Sequence, residues 1–307
     1  MNTDYQSSRP FICVDFLIEL SDIVLPDFPR PSPPNKPPGS PKLIFVHTEY
    51  LTHFTPHLLS LNYDYVLLTG CNDDFCLPYM TYPPVNDNVK QEHDRLLAHP
   101  HLVKWVTKNV CTQHPKLLAF PLGPKMQWES RDFFGEDKTE MLRVYNHHCL
   151  AAELNFRTEK PKLLYVNLGD TTDAPLYREH AGIRKHVLDL ILSKGYTVSR
   201  NRPFVKYIED LKTYKFCVSP PGRGIDSHRV WECLMVGTIP ICLTSPLDSL
   251  YSDLPVLIVN NYSIITDDYL NTMYREMQLK TYNFSKVYTP YWETLINNLK
   301  PAEQDTQ

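Results

Sequence analysis

Short apolar runs closed by polar or glycine residues recur along the chain and alternate with amphipathic stretches. KLIFVHTEY, DYVLLTG, HLVKWVTKNV and KLLAFPLG read as strands, with HFTPHLLSL as a helix between the first two. TEMLRVYNHHCLAAEL reads as a helix leading to a boundary near residue 155. The alternation then restarts. KLLYVNL, YTVSR, KFCVS, TIPICLT and LPVLIVN are expected as strands, and REHAGIRKHVLDLILSKG, FVKYIEDLKTY and a segment from Asp226 as helices. Gly195 and Gly237 are placed to close two of those helices. Such alternation predicts an α/β fold of two Rossmann-like domains, their parallel sheets facing each other across a cleft, with ligands at the carboxyl ends of the strands.

The expected division is an N-terminal arm and proline-rich strap over 1–42, an acceptor domain over 43–155, a donor domain over 156–285, and a helix across the junction over 286–307. PDFPRPSPPNKPPGSPK is too rich in proline for helix or central strand, which makes it a strap. The segment PYWETLINNLK supplies the last helix.

Composition narrows the function classes. The 307 residues carry a formal net charge of -4, with 42% hydrophobic and 21% charged residues, so nothing draws the chain generally to nucleic acid or anionic membranes. Eight cysteines include no Cys-x-x-Cys pair, which fits a reducing compartment. FICVDFLIEL is interrupted by Asp15 and Glu19, so no membrane span is expected and the location is read as cytoplasmic.

The densest chemistry lies in SPPGRGIDSHRVWECLMVGTIPI, where a turn with two glycines follows the apolar run KFCV. Gly222 and Gly224 allow positive φ and a close backbone approach, Asp226 or Ser227 can cap the next helix, and that helix start favours an anion such as a diphosphate. Arg229 and Glu232 are three residues apart and so share a helical face; exposed there, the acid can bind a ribose diol. The plainer reading is turn chemistry with an intrahelical Arg/Glu pair.

FCVSPPGRGIDSHRVWECLMVGTIPIC resembles the C-terminal signature of exostosin-like glycosyltransferases of the GT-B fold, matching at Ser219, Pro220, Gly222, Gly224, Asp226, Arg229, Glu232, Gly237, Ile239 and Pro240. AFPLG and GCNDD are similar to upstream elements of the same proteins. In size and layout the chain resembles the small soluble sugar transferases of large algal DNA viruses, which would place it in the host cytoplasm. The resemblance implies a nucleoside diphosphate sugar donor, UDP-linked, with xylose as the candidate sugar and a glycan hydroxyl as acceptor. It implies donor binding by Ser219, Pro220, Gly222, Arg223, Gly224, Asp226, Ser227, His228, Arg229 and Glu232, with Glu232 on the ribose. The leaving diphosphate calls for a further cation, for which Arg178, then Arg184, then Arg223 are the candidates.

No Asp-x-Asp triplet occurs, and His147-His148-Cys149 lacks zinc-finger spacing, so neither metal nor cofactor is expected. Many retaining GT-B enzymes carry two glutamates eight positions apart, whereas Gly224 stands eight before Glu232; inversion is therefore expected. Inversion needs a general base, and Asp73, in the position of the family's loop aspartate after DYVLLTG, is the first candidate, with Asp74 and His47 as rivals. Tyr79, Tyr82, Trp105 and Trp128 are candidates for stacking on sugar, against the ordinary reading that aromatics are core. Two other classes stay open: a nucleotide-sugar-binding module without catalysis, and a Rossmann oxidoreductase. The second is weakened because no Gly-x-Gly-x-x-Gly follows the first strand of either half.

Overall fold

A computed structural model of the chain describes residues 9–25, 42–70, 77–78, 87–126, 138–169, 183–200 and 202–301. The chain divides into two compact units, residues 1–121 with 288–307 and residues 122–287. Each is built on one parallel sheet with helices, so the α/β class is as expected. Among the described residues no helix is long and apolar enough to cross a membrane.

In the first unit, β1 (Ile23–Leu25), β2 (Leu43–His47), β3 (Tyr65–Gly70), β4 (Leu102–Thr107) and β5 (Leu117–Ala119) pair in parallel in chain order. Every residue of β2 and β3 is buried, which is why they read as unbroken apolar runs. One face of the sheet, through Ile44, Val46, Tyr65, Leu67 and Trp105, packs on Leu51 and Leu58 of the Leu51–Leu59 helix and on Leu96 and Leu97 of the Asp87–Ala98 helix. That second helix was not foreseen. Its buried residues are His93, Leu96 and Leu97 amid charged neighbours, a narrow stripe beside a polar surface.

The expected N-terminal arm is partly an integral piece of this unit. The Val14–Leu20 helix buries Phe16 and Leu17, and β1 adds an edge to the sheet. Phe16 stacks on Phe120 at 6.1 Å, and Phe120 meets Trp292 of the Thr289–Asn297 helix edge-on at 5.3 Å. Residues 1–8 and 26–41, most of the expected strap, lie outside the described residues.

In the second unit, β6 (Lys162–Tyr165), β7 (Tyr214–Val218), β8 (Ile239–Leu243) and β9 (Leu257–Val259) pair in parallel, again in chain order. YTVSR is not a strand; Ser199 N–H donates to Val166 O at 2.8 Å, and that bond holds the segment beside the end of β6. Gly195 and Gly237 both have positive φ, 84° and 75°, as expected of helix-closing glycines. Gly237 is doubly required, because a Cβ there would lie 2.2 Å from the backbone at Asn155 and Phe156.

The boundary falls at Pro121/Leu122, well before the expected position near 155. The Lys138–His148 and Ala152–Arg157 helices pack on the Phe204–Leu211 and His228–Val236 helices, which makes them part of the second unit. The chain from Leu122 onward is tied into that unit by hydrogen bonds to residues a hundred positions later.

Candidate functional site

The turn 219–227 joins the carboxyl end of β7 to the His228–Val236 helix in the second unit. Its first residues extend the sheet. Ser219 N–H donates to Ile241 O at 3.0 Å, its hydroxyl donates to Cys217 O at 3.2 Å, and Ser219 and Pro220 are buried. Neither Gly222 nor Gly224 has a positive φ, contrary to the reason the sequence suggests for them. The Arg184 guanidinium rests against Gly222 instead: a Cβ there would lie 2.6 Å from Arg184 Nη2, so the arginine head would have to shift to admit a side chain. Arg184, on the Ile183–Ser193 helix and 9% exposed, donates through Nε to Pro221 O at 2.8 Å. Arg184, the second of the three candidates for a further cation, thus lies against the turn.

Asp226 is the hub of the turn. At 2% exposure, its Oδ2 accepts from Leu122 N at 2.9 Å and Trp231 Nε1 at 2.7 Å, and its Oδ1 from Ser227 N and the Tyr251 hydroxyl, both at 2.8 Å. Burial pushes this carboxyl above the ordinary carboxylate range, although four donors pull the other way. Asp226 therefore faces protein donors, and its place in the signature is architectural.

Ser227 is the N-cap residue, extended at φ -137° and ψ 146°, yet its side chain makes no capping bond. Its buried Oγ has no hydrogen-bond partner among the described residues, nor has the buried Nε of Arg229. Arg229 is half-buried, and no ion pair joins it to Glu232 among the described residues, so the plain intrahelical pair is absent. Arg184 and Arg229 both lie near enough to the Tyr262 hydroxyl to act on it electrostatically. Arg184 thus bonds to the turn at Pro221 O, while Ser227 and Arg229 are the N-cap and second residues of the helix, whose dipole favours an anion at this end. Arg223 is exposed on the turn. His228 donates through Nδ1 to Gly123 O at 2.8 Å.

Glu232 departs from expectation. Its helix is buried from Val230 through Val236, and Glu232 is 4% exposed. Oε1 accepts from Lys125 N at 3.1 Å, and Oε2 from the Tyr207 hydroxyl at 2.8 Å. The Tyr145 hydroxyl lies 3.1 Å from Oε1 and 2.9 Å from Lys125 O, one proton serving two acceptors. Burial first, and then the Glu232 charge, hold both phenols well above their ordinary value. An open carboxylate awaiting a ribose diol is not what stands at 232. Glu232→Gln is expected to destabilise the protein by about 1–3 kcal/mol, since an amide NH2 would face one of these donors. An unchanged thermal melt for the variant would show that these contacts are dispensable.

Sequence reasoning missed Tyr145, Tyr207, Trp231 and Tyr251 as partners of the two acids, and no spacing along the chain announces them. It did single out AFPLG, whose Leu122 and Gly123 run along the helix start. Asp73, Asp74 and Arg178, with Tyr79, Tyr82 and Trp128, lie outside the described residues. His47 is at the end of β2 in the first unit, 5% exposed, edge-on to Phe45 at 5.2 Å. Trp105 is core, fully buried, with Nε1 donating to Thr69 Oγ1 at 2.9 Å, which leaves no face for sugar stacking.

No protein-family model matches the chain. No curated protein matches it either. Among solved structures it is similar to the apo structure of OtsA, at 10% identity and a TM-score of 0.42, covering 85% of this chain and 73% of that one. It is also similar to two variants of the wall teichoic acid polymerase TagF, each at 10% identity over 84% of this chain and 88% of that one, with TM-scores of 0.25 for H548A and 0.26 for H444N. Likeness at this level assigns no activity.

Proposed function

We propose that this chain is an inverting, metal-independent glycosyltransferase of the GT-B kind. It takes a sugar, xylose being the candidate, from a UDP-linked donor and passes it to a glycan hydroxyl. The observation that carries the reading is the cluster at the start of the His228–Val236 helix: Arg184, Arg229 Nε and Ser227 Oγ beside a turn whose backbone is fixed by Asp226. Two guanidiniums at a helix N-terminus suit the diphosphate of such a donor, and they act where charge grows as the glycosidic bond breaks. Ser227, Arg229 and the turn fixed by Asp226 fall within the stretch that the resemblance picks out, Ser219 to Glu232, and Arg184 joins them from the Ile183–Ser193 helix.

In this reading the buried acids act as supports. Asp226 holds the turn and Glu232 holds the 122–125 segment against the helix, so that the arginines and Ser227 meet the phosphates. The leaving UDP is stabilised by the arginines and helix amides in place of a divalent ion, consistent with the missing Asp-x-Asp triplet. The acceptor hydroxyl attacks the anomeric carbon as its proton passes to a carboxylate base, for which Asp73 is the proposed residue.

Calorimetric titration with UDP tests the donor site. Arg229→Met is expected to weaken binding by about 10- to 100-fold, the loss of one charge-assisted contact to phosphate. Equal affinity for wild type and variant would remove Arg229 from the site. UDP binding without hydrolysis or transfer of any UDP-sugar would leave a binding module instead of an enzyme.

A further inference from the structure

Residues 99–101 connect the Asp87–Ala98 helix to β4, at the amino ends of the strands of the first unit and so at the sheet edge opposite His47 and Gly70. Two histidines stand in this connection, His99 and His101, with ring centroids 5.7 Å apart. Their backbone is pinned. His99 O accepts from Leu102 N at 3.2 Å and from Lys116 Nζ at 2.6 Å, and His101 O accepts from Tyr65 N at 2.9 Å.

Each ring is also held in one tautomer. His99 Nε2 lies 3.1 Å from Leu59 O, at the last residue of the Leu51–Leu59 helix. A carbonyl only accepts, so Nε2 carries the proton and Nδ1 keeps a bare lone pair. That Nδ1 is buried and has no hydrogen-bond partner among the described residues. His101 Nδ1 lies 2.9 Å from Asp64 Oδ1, so in the neutral ring it is Nε2, on a half-buried side chain, that keeps the lone pair. Burial first, with His101 and Lys116 adding to it, holds His99 below the ordinary histidine value in spite of the bond to Leu59 O, so its ring is neutral around pH 7.

An imidazole that donates one nitrogen's proton to a carbonyl or carboxylate and leaves the other nitrogen bare is in the state in which proteins present histidine to a metal ion. Two imidazoles bound to one ion at about 2.0–2.1 Å have centroids about 5–6 Å apart, and His99 and His101 have that spacing. A coordinate bond is also shorter than the roughly 2.8 Å that water needs, so an ion can serve an enclosed nitrogen that water cannot. We propose that His99 Nδ1 and His101 Nε2 hold a divalent ion of the zinc class, which fastens the helix-to-β4 connection of the first unit. Imidazole suits zinc, copper and nickel, whereas magnesium and calcium take oxygen ligands. Among the described residues no group of three or more ligating side chains could hold a metal, so water completes the coordination. With two protein ligands and the Lys116 ammonium nearby, the affinity is expected to be micromolar, not nanomolar. The site is at the far edge of the sheet from the candidate base residues and does not rest on the sugar-transfer reading.

The test titrates Zn2+ into the full chain and into His99→Gln, His101→Gln and Asp64→Ala by calorimetry, and follows the thermal melt of each with and without the ion. The wild type is expected to bind Zn2+ and to melt a few degrees higher with it, as a ligand that binds only the folded state requires. Each histidine variant should bind one ion fewer per chain than wild type. Asp64→Ala, which removes the acceptor that orients His101, should bind that ion about tenfold or more weakly. Mg2+ should shift no melt. Three results overturn the site: no Zn2+ bound by the wild type up to about 0.3 mM, an ion count unchanged in either histidine variant, or an affinity unchanged in Asp64→Ala. An ion kept in the histidine variants belongs to other side chains and counts against the proposal. Should His99→Gln melt below the assay temperature, His99→Asn replaces it, and His101→Gln with Asp64→Ala decides under the same criteria.

Discussion

Asp226→Asn is expected to destabilise the second unit by about 3–5 kcal/mol, although the two side chains have nearly the same shape. Asp226 is acceptor-only, and all four hydrogen bonds to it come from protein donors, two on each oxygen. Asparagine keeps one acceptor oxygen and turns an NH2 toward two of those donors. Whichever way the amide points, one pair is left facing a donor: Leu122 N with Trp231 Nε1, or Ser227 N with the Tyr251 hydroxyl. Trp231 is 0% and Tyr251 4% exposed, so water cannot substitute. In a chain of this size the loss should appear as a fall in melting temperature of roughly 10 °C or more. A melt within a degree or two of wild type would mean that the turn re-forms without this hub.

Asp73→Asn carries the other large expectation, a fall in turnover of about 100- to 10,000-fold with donor affinity near wild type. Asparagine keeps the shape and much of the hydrogen bonding but cannot take a proton as a carboxylate does. The residue follows β3 closely, and residues just beyond the carboxyl ends of parallel strands are where such sheets place catalytic groups. The product anomer should be opposite to that of the donor, because a single displacement inverts the reacting carbon. Retained configuration would overturn displacement itself. An active Asp73→Asn with an inactive Asp74→Asn would move the base one residue along, and an inactive His47→Ala beside an active Asp73→Asn would move it to the end of β2.

The strands were readable because burial on both faces leaves no polar alternation to confuse. LIFVH, YVLLTG and IPICL are solidly buried or nearly so. Helices with few apolar residues were not. The Asp267–Gln278 helix buries Leu270 and Met277 amid charged and polar residues, so it offers no apolar run to mark it in the sequence. YTVSR has the composition of a strand but lacks the continuous pairing that would make it one.

The sequence alone determined the two strand-helix series, the helix-closing glycines at 195 and 237, and the concentration of chemistry between Ser219 and Glu232. Each depends on neighbours in the chain, through periodicity, turn stereochemistry and residue type. Tertiary structure decided which of those residues face a ligand. Asp226 and Glu232 read as ligand-binding acids because a carboxylate in a turn or on a helix face is ordinarily solvated. Here Tyr145, Tyr207, Trp231, Tyr251 and the 122–125 backbone bring donors to them, most from distant positions, while among the described residues Arg229 Nε has no acceptor and Ser227 Oγ no partner. A hydrogen-bond partner a hundred residues away leaves no mark on local pattern, so the division between support and ligand site, like the unit boundary at 121/122, exists only once the chain has folded.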